Sequence, residues 1–179
     1  AYDPAFAYEI ALIIRDCIYR MYEKQESIFY YISVGNENYP MPAMPQGCKE
    51  GILKGLYRYS QSAKKSDAKA HLIGSGAIMN QVLDAQKILE EKYNVSADVW
   101  SATSYTELRR DALHVERENL LKGTNNIPYV TKILQQEQGV IVAASDNMKV
   151  MPDSIRKWVP GSYTVLGTDG FGRSESREA

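Results

Sequence analysis

Gly74-Ser75-Gly76 follows a short apolar run, Ala70 to Ile73, and precedes a helical pattern. Its backbone N–H groups and a helix dipole worth roughly half a positive charge are therefore placed to hold a phosphate. It lacks the third glycine of a dinucleotide fingerprint and the Gly-Lys-Ser/Thr of a P-loop, so a plain tight turn is the simpler reading. Asn125-Asn126 has the form of a pair that helps hold a Mg²⁺-diphosphate, but no Gly-Asp-Gly precedes it, and a helix cap explains it better. Glu107, Arg109, Arg110, Asp111, His114, Glu116, Arg117 and Glu118 form a mixed-sign run with the spacing of solvent-facing helical pairs. Gly167 to Arg177 strings glycines, hydroxyls and two arginines around Phe171, a composition suited either to a loop over a ligand or partner or to a frayed tail.

The rest of the inventory is thin. Cys17 and Cys48 are too few and too far apart for a disulfide framework or a thiolate metal site, which fits a reducing compartment. His71 and His114 are the only histidines; His71 lies in an apolar run and reads as a core or rim residue. Neither cysteine has a histidine near it in sequence, so nucleophilic catalysis has no positive support.

Any such chemistry has to be positioned by a fold of ordinary composition. The 179 residues are 44% hydrophobic and 24% charged, with 21 basic against 22 acidic side chains, a balance that offers no field for nucleic acid or an anionic membrane. No apolar run approaches the ~18 residues of a membrane helix, and no secretory leader is visible at the start, so a cytoplasmic protein is expected.

Asp3-Pro4 is a helix opening on paper, followed by Phe6, Ile10, Ile14 or Ile13, Cys17 and Met21 at helical spacing, with Ala11, Leu12 and Ile18 widening the stripe as for a helix buried against a sheet. Ile28 to Val34 is β-branched and aromatic almost throughout, as in a strand covered on both faces. No earlier strand exists for it to pair with, so this opening reads as the last α-β unit of a domain whose body lies elsewhere. Gly35 to Pro45, with Pro40, Pro42 and Pro45, forbids a helix and reads as an extended linker.

Beyond it, Gln46 to Gly55 is a short helix, Leu56 to Tyr59 starts a strand, and Ser60 to Asp67 is an exposed turn. Short apolar runs then alternate with amphipathic helices, the pattern of an α/β sheet. The strands are Ala70 to Ile73, Asp98 to Ala102, Gly139 to Ala144 and Tyr163 to Leu166. The helices run from Ile78 to Tyr93, from a Ser104–Glu107 capping box to about Leu121, from Asn126-Pro128 through Leu134, and from Asp146 to Trp158, where Pro152 weakens the pattern. Thirteen tyrosines are many, and Tyr30, Tyr31, Tyr39, Tyr57 and Tyr59 crowd around the linker, as amphipathic rings do at contacts between domains.

Several motifs occur together: Asn36-Glu37-Asn38-Tyr39 with Met41-Pro42-Ala43-Met44-Pro45; Glu50-Gly51-Ile52, Lys54-Gly55 and Tyr57; Leu72-Ile73-Gly74-Ser75-Gly76; Thr103 to Leu108; and Leu166-Gly167-Thr168-Asp169-Gly170-Phe171-Gly172-Arg173-Ser174. Over nearly the whole chain this set resembles the homodimeric bacterial pyruvate dehydrogenase family, the decarboxylating component of the pyruvate dehydrogenase complex.

The resemblance implies an α/β fold: a transketolase C-terminal-like three-layer domain with a mixed, mostly parallel sheet at 46–179, after a linker at 35–45 and the end of a pyrimidine-binding domain at 1–34. It implies a fragment, since relatives continue past Arg177-Glu178-Ala179. It also implies an oxidoreductase that uses thiamine diphosphate and Mg²⁺ to decarboxylate pyruvate and pass the acetyl unit to a lipoyl group. The expected partners are a second copy of the chain in a homodimer and the lipoyl transacetylase component. The catalytic, cofactor-binding and metal residues are expected outside this chain, so the segment serves structure and dimer packing. Asp169, Phe171, Arg173 and Ser174 would form a loop near the active-site mouth or dimer interface. Two other readings remain from the residues alone: a non-enzymatic α/β interaction module, and a phosphate-ligand-binding domain using the Gly74 turn.

Overall fold

The computed structural model describes residues 1–36 and 38–170. A five-stranded sheet of order β1-β3-β2-β4-β5 is built from β1 (Tyr57–Ser60), β2 (Lys69–Gly74), β3 (Ser96–Ser101), β4 (Val140–Ala144) and β5 (Tyr163–Leu166). β1 runs antiparallel to β3 and the other pairs are parallel, giving the mixed, mostly parallel sheet expected.

Alternation along the strands divides the core into two layers, because successive side chains point to opposite faces. Ile73, Trp100, Ile141 and Ala143 meet Tyr105 and Leu108 of α4 (Tyr105–Lys122) and Val130 and Leu134 of α5 (Tyr129–Leu134). Ala70, Leu72, Ala97 and Val99 face the other way, onto Met79 and Val82 of α3 (Met79–Lys92) and onto Phe6. Each large side chain buried this fully contributes about 1.5–3 kcal/mol. A third cluster, with Tyr2, Leu12, Ile13, Cys48, Ile52 and Tyr57, joins α1 (Ala7–Ile18) to α2 (Lys49–Lys54).

Glycine is required at two close approaches. Gly55 ends α2 with φ +102°, and a Cβ there would lie 2.3 Å from the Ser104 carbonyl oxygen. Gly139 enters β4 with φ +115°, and a Cβ there would lie 2.2 Å from the Lys69 carbonyl oxygen. Both lie in the left-handed region that side chains disfavour.

The opening differs from the sequence reading. Helix α1 begins at Ala7, not at Asp3-Pro4, because the Glu9 carboxylate accepts from the backbone N–H groups of Ala5 and Phe6 and Asp3 is engaged elsewhere. Its buried face is Phe6, Glu9, Leu12 and Ile13, with Phe6 against the sheet and Glu9 bonded to Tyr57 and Ser101 of its strands; Ile14, Ile18 and Met21 are exposed, so the predicted stripe is covered in its first part and bare in its second. Ile28 to Val34 is not a strand covered on both faces: it forms one parallel bridge, Tyr2 with Ile32, and leaves Phe29 85% exposed. Tyr31 and Val34 are exposed as well. The predicted helix from Asp146 to Trp158 is reduced to α6 (Val150–Asp153) and a 3₁₀ turn at Arg156–Trp158; Pro152 lies in the first turn of α6, where its missing N–H stops the helix from reaching back to Asp146.

Of the reciprocal capping box at α4, half forms. Ser104 Oγ accepts from the Glu107 N–H at 3.0 Å, while the Glu107 carboxylate pairs with Arg110. Part of the mixed-sign run forms pairs along α4, Glu107–Arg110, His114–Glu118 and Glu118–Lys122, while Asp111 accepts from the Tyr129 N–H at the start of α5 and Glu116 accepts from the Trp158 indole. No described helix is long and apolar enough to cross a membrane.

Candidate functional site

Parallel α/β sheets bind ligands beyond the carboxyl ends of their strands, where neighbouring connections leave in opposite directions. In this sheet β2 lies at the centre, with β3 on one side and β4 on the other, and a crevice of about 330 Å³ opens at their ends. Ser75 follows β2, Ser104 and Tyr105 follow β3, and Ser145 follows β4; Met148, Val150 and Met151 make an apolar wall. The Ser75 and Tyr105 hydroxyls are buried without a hydrogen-bond partner among the described residues. Burial holds the Tyr105 phenol well above its ordinary value, with Tyr163 and Asp3 adding to the effect.

The chain's own opening segment lies across this crevice. Asp3 donates its N–H to the Thr103 carbonyl at 2.7 Å, and its own carbonyl accepts from the Gly76 N–H at 3.0 Å. Its carboxylate accepts from Ser33 Oγ at 2.5 Å and sits where a Cβ on Gly76 would be, 2.7 Å from Oδ1. A phosphate at the Gly74-Ser75-Gly76 turn would meet this like charge at a helix start that already has an acidic neighbour. The tight-turn reading is the one the geometry supports.

Glu9 is wholly buried, 0% exposed, and four donors converge on it. Oε2 accepts from Ala5 and Phe6 N–H at 2.5 and 3.0 Å; Oε1 accepts from Tyr57 Oη at 2.6 Å and Ser101 Oγ at 2.7 Å. Tyr8 Oη lies 2.6 Å from Tyr57 Oη and extends the chain of hydroxyls. Burial raises the Glu9 carboxyl above the ordinary carboxylate range against the opposing pull of those hydrogen bonds. Both carboxylates were missed in the sequence, although Glu9 carried a signal: a charged residue at the Phe6–Ile13 spacing of a buried face.

The tyrosines around the linker work at the same seam. Tyr39 Oη donates to the Ala5 carbonyl at 2.5 Å, Tyr59 stacks on Phe6 with centroids 5.1 Å apart, and Tyr30 Oη donates to Asp16.

At the opposite end of the strands, His71, Asp98 and Glu137 bring potential metal-ligand atoms within 4.8 Å of one another. They do not fit a metal. Trp100 Nε1–H donates to His71 Nδ1 at 3.3 Å, so the ring's hydrogen is on Nε2, where the Gln138 carbonyl accepts it at 3.0 Å. Neither nitrogen keeps a free lone pair, and the Arg58 guanidinium already lies between the two carboxylates. No other such group occurs among the described residues, and this one offers neither the all-oxygen donor set nor the open positions a Mg²⁺-diphosphate needs.

Of the predicted loop residues, Asp169 is placed beside the crevice. Its Oδ1 accepts from the Lys149 N–H at 3.1 Å and its Oδ2 pairs with Lys149 Nζ at 3.2 Å, contacts that hold its carboxyl below the usual range. Asp169 thereby ties the end of β5 to the residue just before α6, which has no side-chain cap of its own. Phe171, Arg173 and Ser174 lie outside the described residues.

Residues 55–179 match the family model described as the transketolase-like TK C-terminal domain, and residues 1–42 match that of the pyruvate dehydrogenase E1 component middle domain. The chain is 48% identical over 180 residues to the pyruvate dehydrogenase E1 component of Pseudomonas aeruginosa, covering 99% of this chain and 20% of that protein. To those of Escherichia coli K12 and Mycobacterium tuberculosis it is 48% and 46% identical, with 99% and 100% of this chain and 20% of each relative covered. It spans about a fifth of the length of these relatives. A matched model over most of the residues, together with the observed β1-β3-β2-β4-β5 sheet, places the chain in the transketolase-like C-terminal domain family, as a homologue of the corresponding part of pyruvate dehydrogenase E1 components.

Proposed function

We propose that this chain serves as the C-terminal part of a pyruvate dehydrogenase E1 component, in which pyruvate is decarboxylated on thiamine diphosphate and the acetyl unit passes to a lipoyl group of the transacetylase. The observation that carries the reading is 48% identity across 99% of the chain to proteins bearing that name. On this reading the cofactor, which supplies the electron sink when bound, is held by other parts of such an enzyme.

The chain's own residues hold geometry. Residues 1–34 are the end of the pyrimidine-binding domain, 35–45 the linker and 46–179 the C-terminal domain. Glu9, Asp3 and the linker tyrosines fasten the first to the third. The exposed apolar side chains of Ile18, Tyr22, Phe29, Tyr31 and Val34 are covered by the remainder of the middle domain, since so much apolar surface in one short segment marks an interface. The loop from Asp169 through Phe171, Arg173 and Ser174 lies near the active-site mouth or the dimer interface, and the enzyme is a cytoplasmic homodimer.

The test is a protein of the relatives' length carrying this segment, assayed with thiamine diphosphate, Mg²⁺, pyruvate and a lipoyl acceptor. Pyruvate-dependent acetylation of the acceptor is expected. Failure to consume pyruvate, with another 2-oxo acid accepted instead, would overturn the substrate assignment.

A further inference from the structure

The crevice beyond the ends of β2, β3 and β4 holds two groups that the rest of the fold leaves unused. Ser75, 1% exposed, and Tyr105, 5% exposed, both line it, and neither hydroxyl has a hydrogen-bond partner among the described residues. Unpaired buried hydroxyls are rare and costly, so two in the lining of one crevice ask for a shared explanation. The same crevice has an apolar side, made by Met148, Val150 and Met151, all of them exposed.

Charge narrows what could fill it. Asp3 supplies the only charged side chain of the lining. Its carboxylate already accepts from Ser33 Oγ and lies against Gly76, where the helix start leading into α3 balances about half a charge. An anion would meet this carboxylate. A cation would have to shed its water against methionine and valine with only part of a countercharge to receive it. The neighbouring carboxylate, Asp169, is committed to Lys149. Burial keeps the Tyr105 phenol protonated, so what remains is two neutral hydroxyls, each able to donate and to accept, beside an apolar wall.

We propose that this crevice binds a small uncharged amphipathic molecule, a ring bearing one group that both donates and accepts hydrogen bonds, such as a carboxamide or an alcohol. The polar group pairs with the Ser75 and Tyr105 hydroxyls, and the ring lies on Met148, Val150 and Met151. Methionine side chains are flexible and polarizable, which suits them to a planar ring. A crevice of about 330 Å³ is of the size that takes such a molecule. Ala1 to Asp3, Tyr31 and Ser33 form one part of the lining and the strand ends another, so the occupant also fastens the opening segment to the sheet. Binding and detachment of that segment are therefore linked: occupancy disfavours release.

The experiment uses an E1-length protein that contains this segment, in which no terminal ammonium stands beside the crevice. Its methionines carry ¹³C-methyl labels, and Met148→Leu and Met151→Leu assign the two signals of interest. Benzamide, benzoate and benzylammonium are added in turn. Benzamide should shift both signals saturably, with a Kd of about 1 mM as befits so small a ligand, and should slow hydrogen exchange at residues 1–6. The two charged probes should bind at least about ten times more weakly. Ser75→Ala and Tyr105→Phe remove hydroxyls that have no partner in the protein, so each should leave the fold intact and weaken benzamide by roughly three- to ten-fold, the worth of one hydrogen bond. No saturable shift at Met148 and Met151, the result if water or another part of the protein fills the crevice, would overturn the proposal. So would a charged probe that binds as tightly as benzamide, or full benzamide affinity in both hydroxyl variants. The first two readings need no hydroxyl variant.

Discussion

Replacing Glu9 tests whether the opening segment is pinned to the sheet by one buried carboxylate. In Glu9→Ala four donors lose their acceptor. Tyr57 Oη retains its contact with Tyr8, but Ala5 N–H, Phe6 N–H and Ser101 Oγ have no other partner described. A buried donor left unsatisfied costs about 1–3 kcal/mol. Relief of a buried charge that no cation balances offsets part of this, as the upward displacement of the carboxyl indicates. The net loss is about 3–5 kcal/mol, a fall in Tm of roughly 10 °C at this chain length.

Glu9→Gln should be milder, about 1 kcal/mol, because its carbonyl can take both backbone donors and its amide can donate to the two hydroxyls once they rotate. The pH dependence distinguishes the variants further. A folded-state value raised above the unfolded one adds stability below the ordinary glutamate range, and that stability is lost as pH climbs through the raised value. The parent should therefore weaken relative to Glu9→Gln from a pH below the ordinary glutamate range to one well above it. Urea unfolding at both pH values reads all of this. An alanine variant as stable as the parent, or a glutamine variant as damaged as the alanine one, would refute the pinning argument.

Other perturbations follow from the same geometry. Gly76→Ala forces a side chain at φ +57° onto the Asp3 carboxylate, and limited proteolysis should show residues 1–6 released while the sheet stays intact. Gly139→Ala meets the Lys69 backbone and should destabilise by more than the ~1 kcal/mol of an unsuitable φ alone, measured by denaturant midpoint. Ser104→Ala removes the α4 cap and should cost about 1 kcal/mol, with exchange rising first at Tyr105 to Glu107. Hydroxyl-radical footprinting should label Tyr22, Phe29 and Tyr31 in this chain and spare them in a protein of the relatives' length.

The sheet was legible because its strands carry strong local signals. Ala70 to Ile73 and Gly139 to Ala144 are apolar runs between glycines and turns, and Ser104 caps α4 through its own side chain. The opening was not legible, because its structure is decided by contacts from far along the chain. Asp3 looks like a cap in isolation, but Thr103, Gly76 and Ser33 claim it. Ile28 to Val34 has strand composition without a neighbouring strand to complete it, and composition cannot show which face lacks a partner.

For the candidate site, the Gly74 turn and Asp169 were identified as residues, but their roles were set by Asp3 and Lys149, which no spacing rule connects to them. The cluster of Arg58, His71, Asp98, Trp100 and Glu137 depends on register across three strands and a turn, and so remained invisible along one dimension.

The most direct measurement is a calorimetric titration of thiamine diphosphate with Mg²⁺, run on this chain and on an E1-length protein that contains it. The account predicts saturable binding to the longer protein and no binding heat from the 179 residues alone. Saturable binding by the short chain would place the cofactor site among these residues and contradict the assignment of this segment to support and positioning.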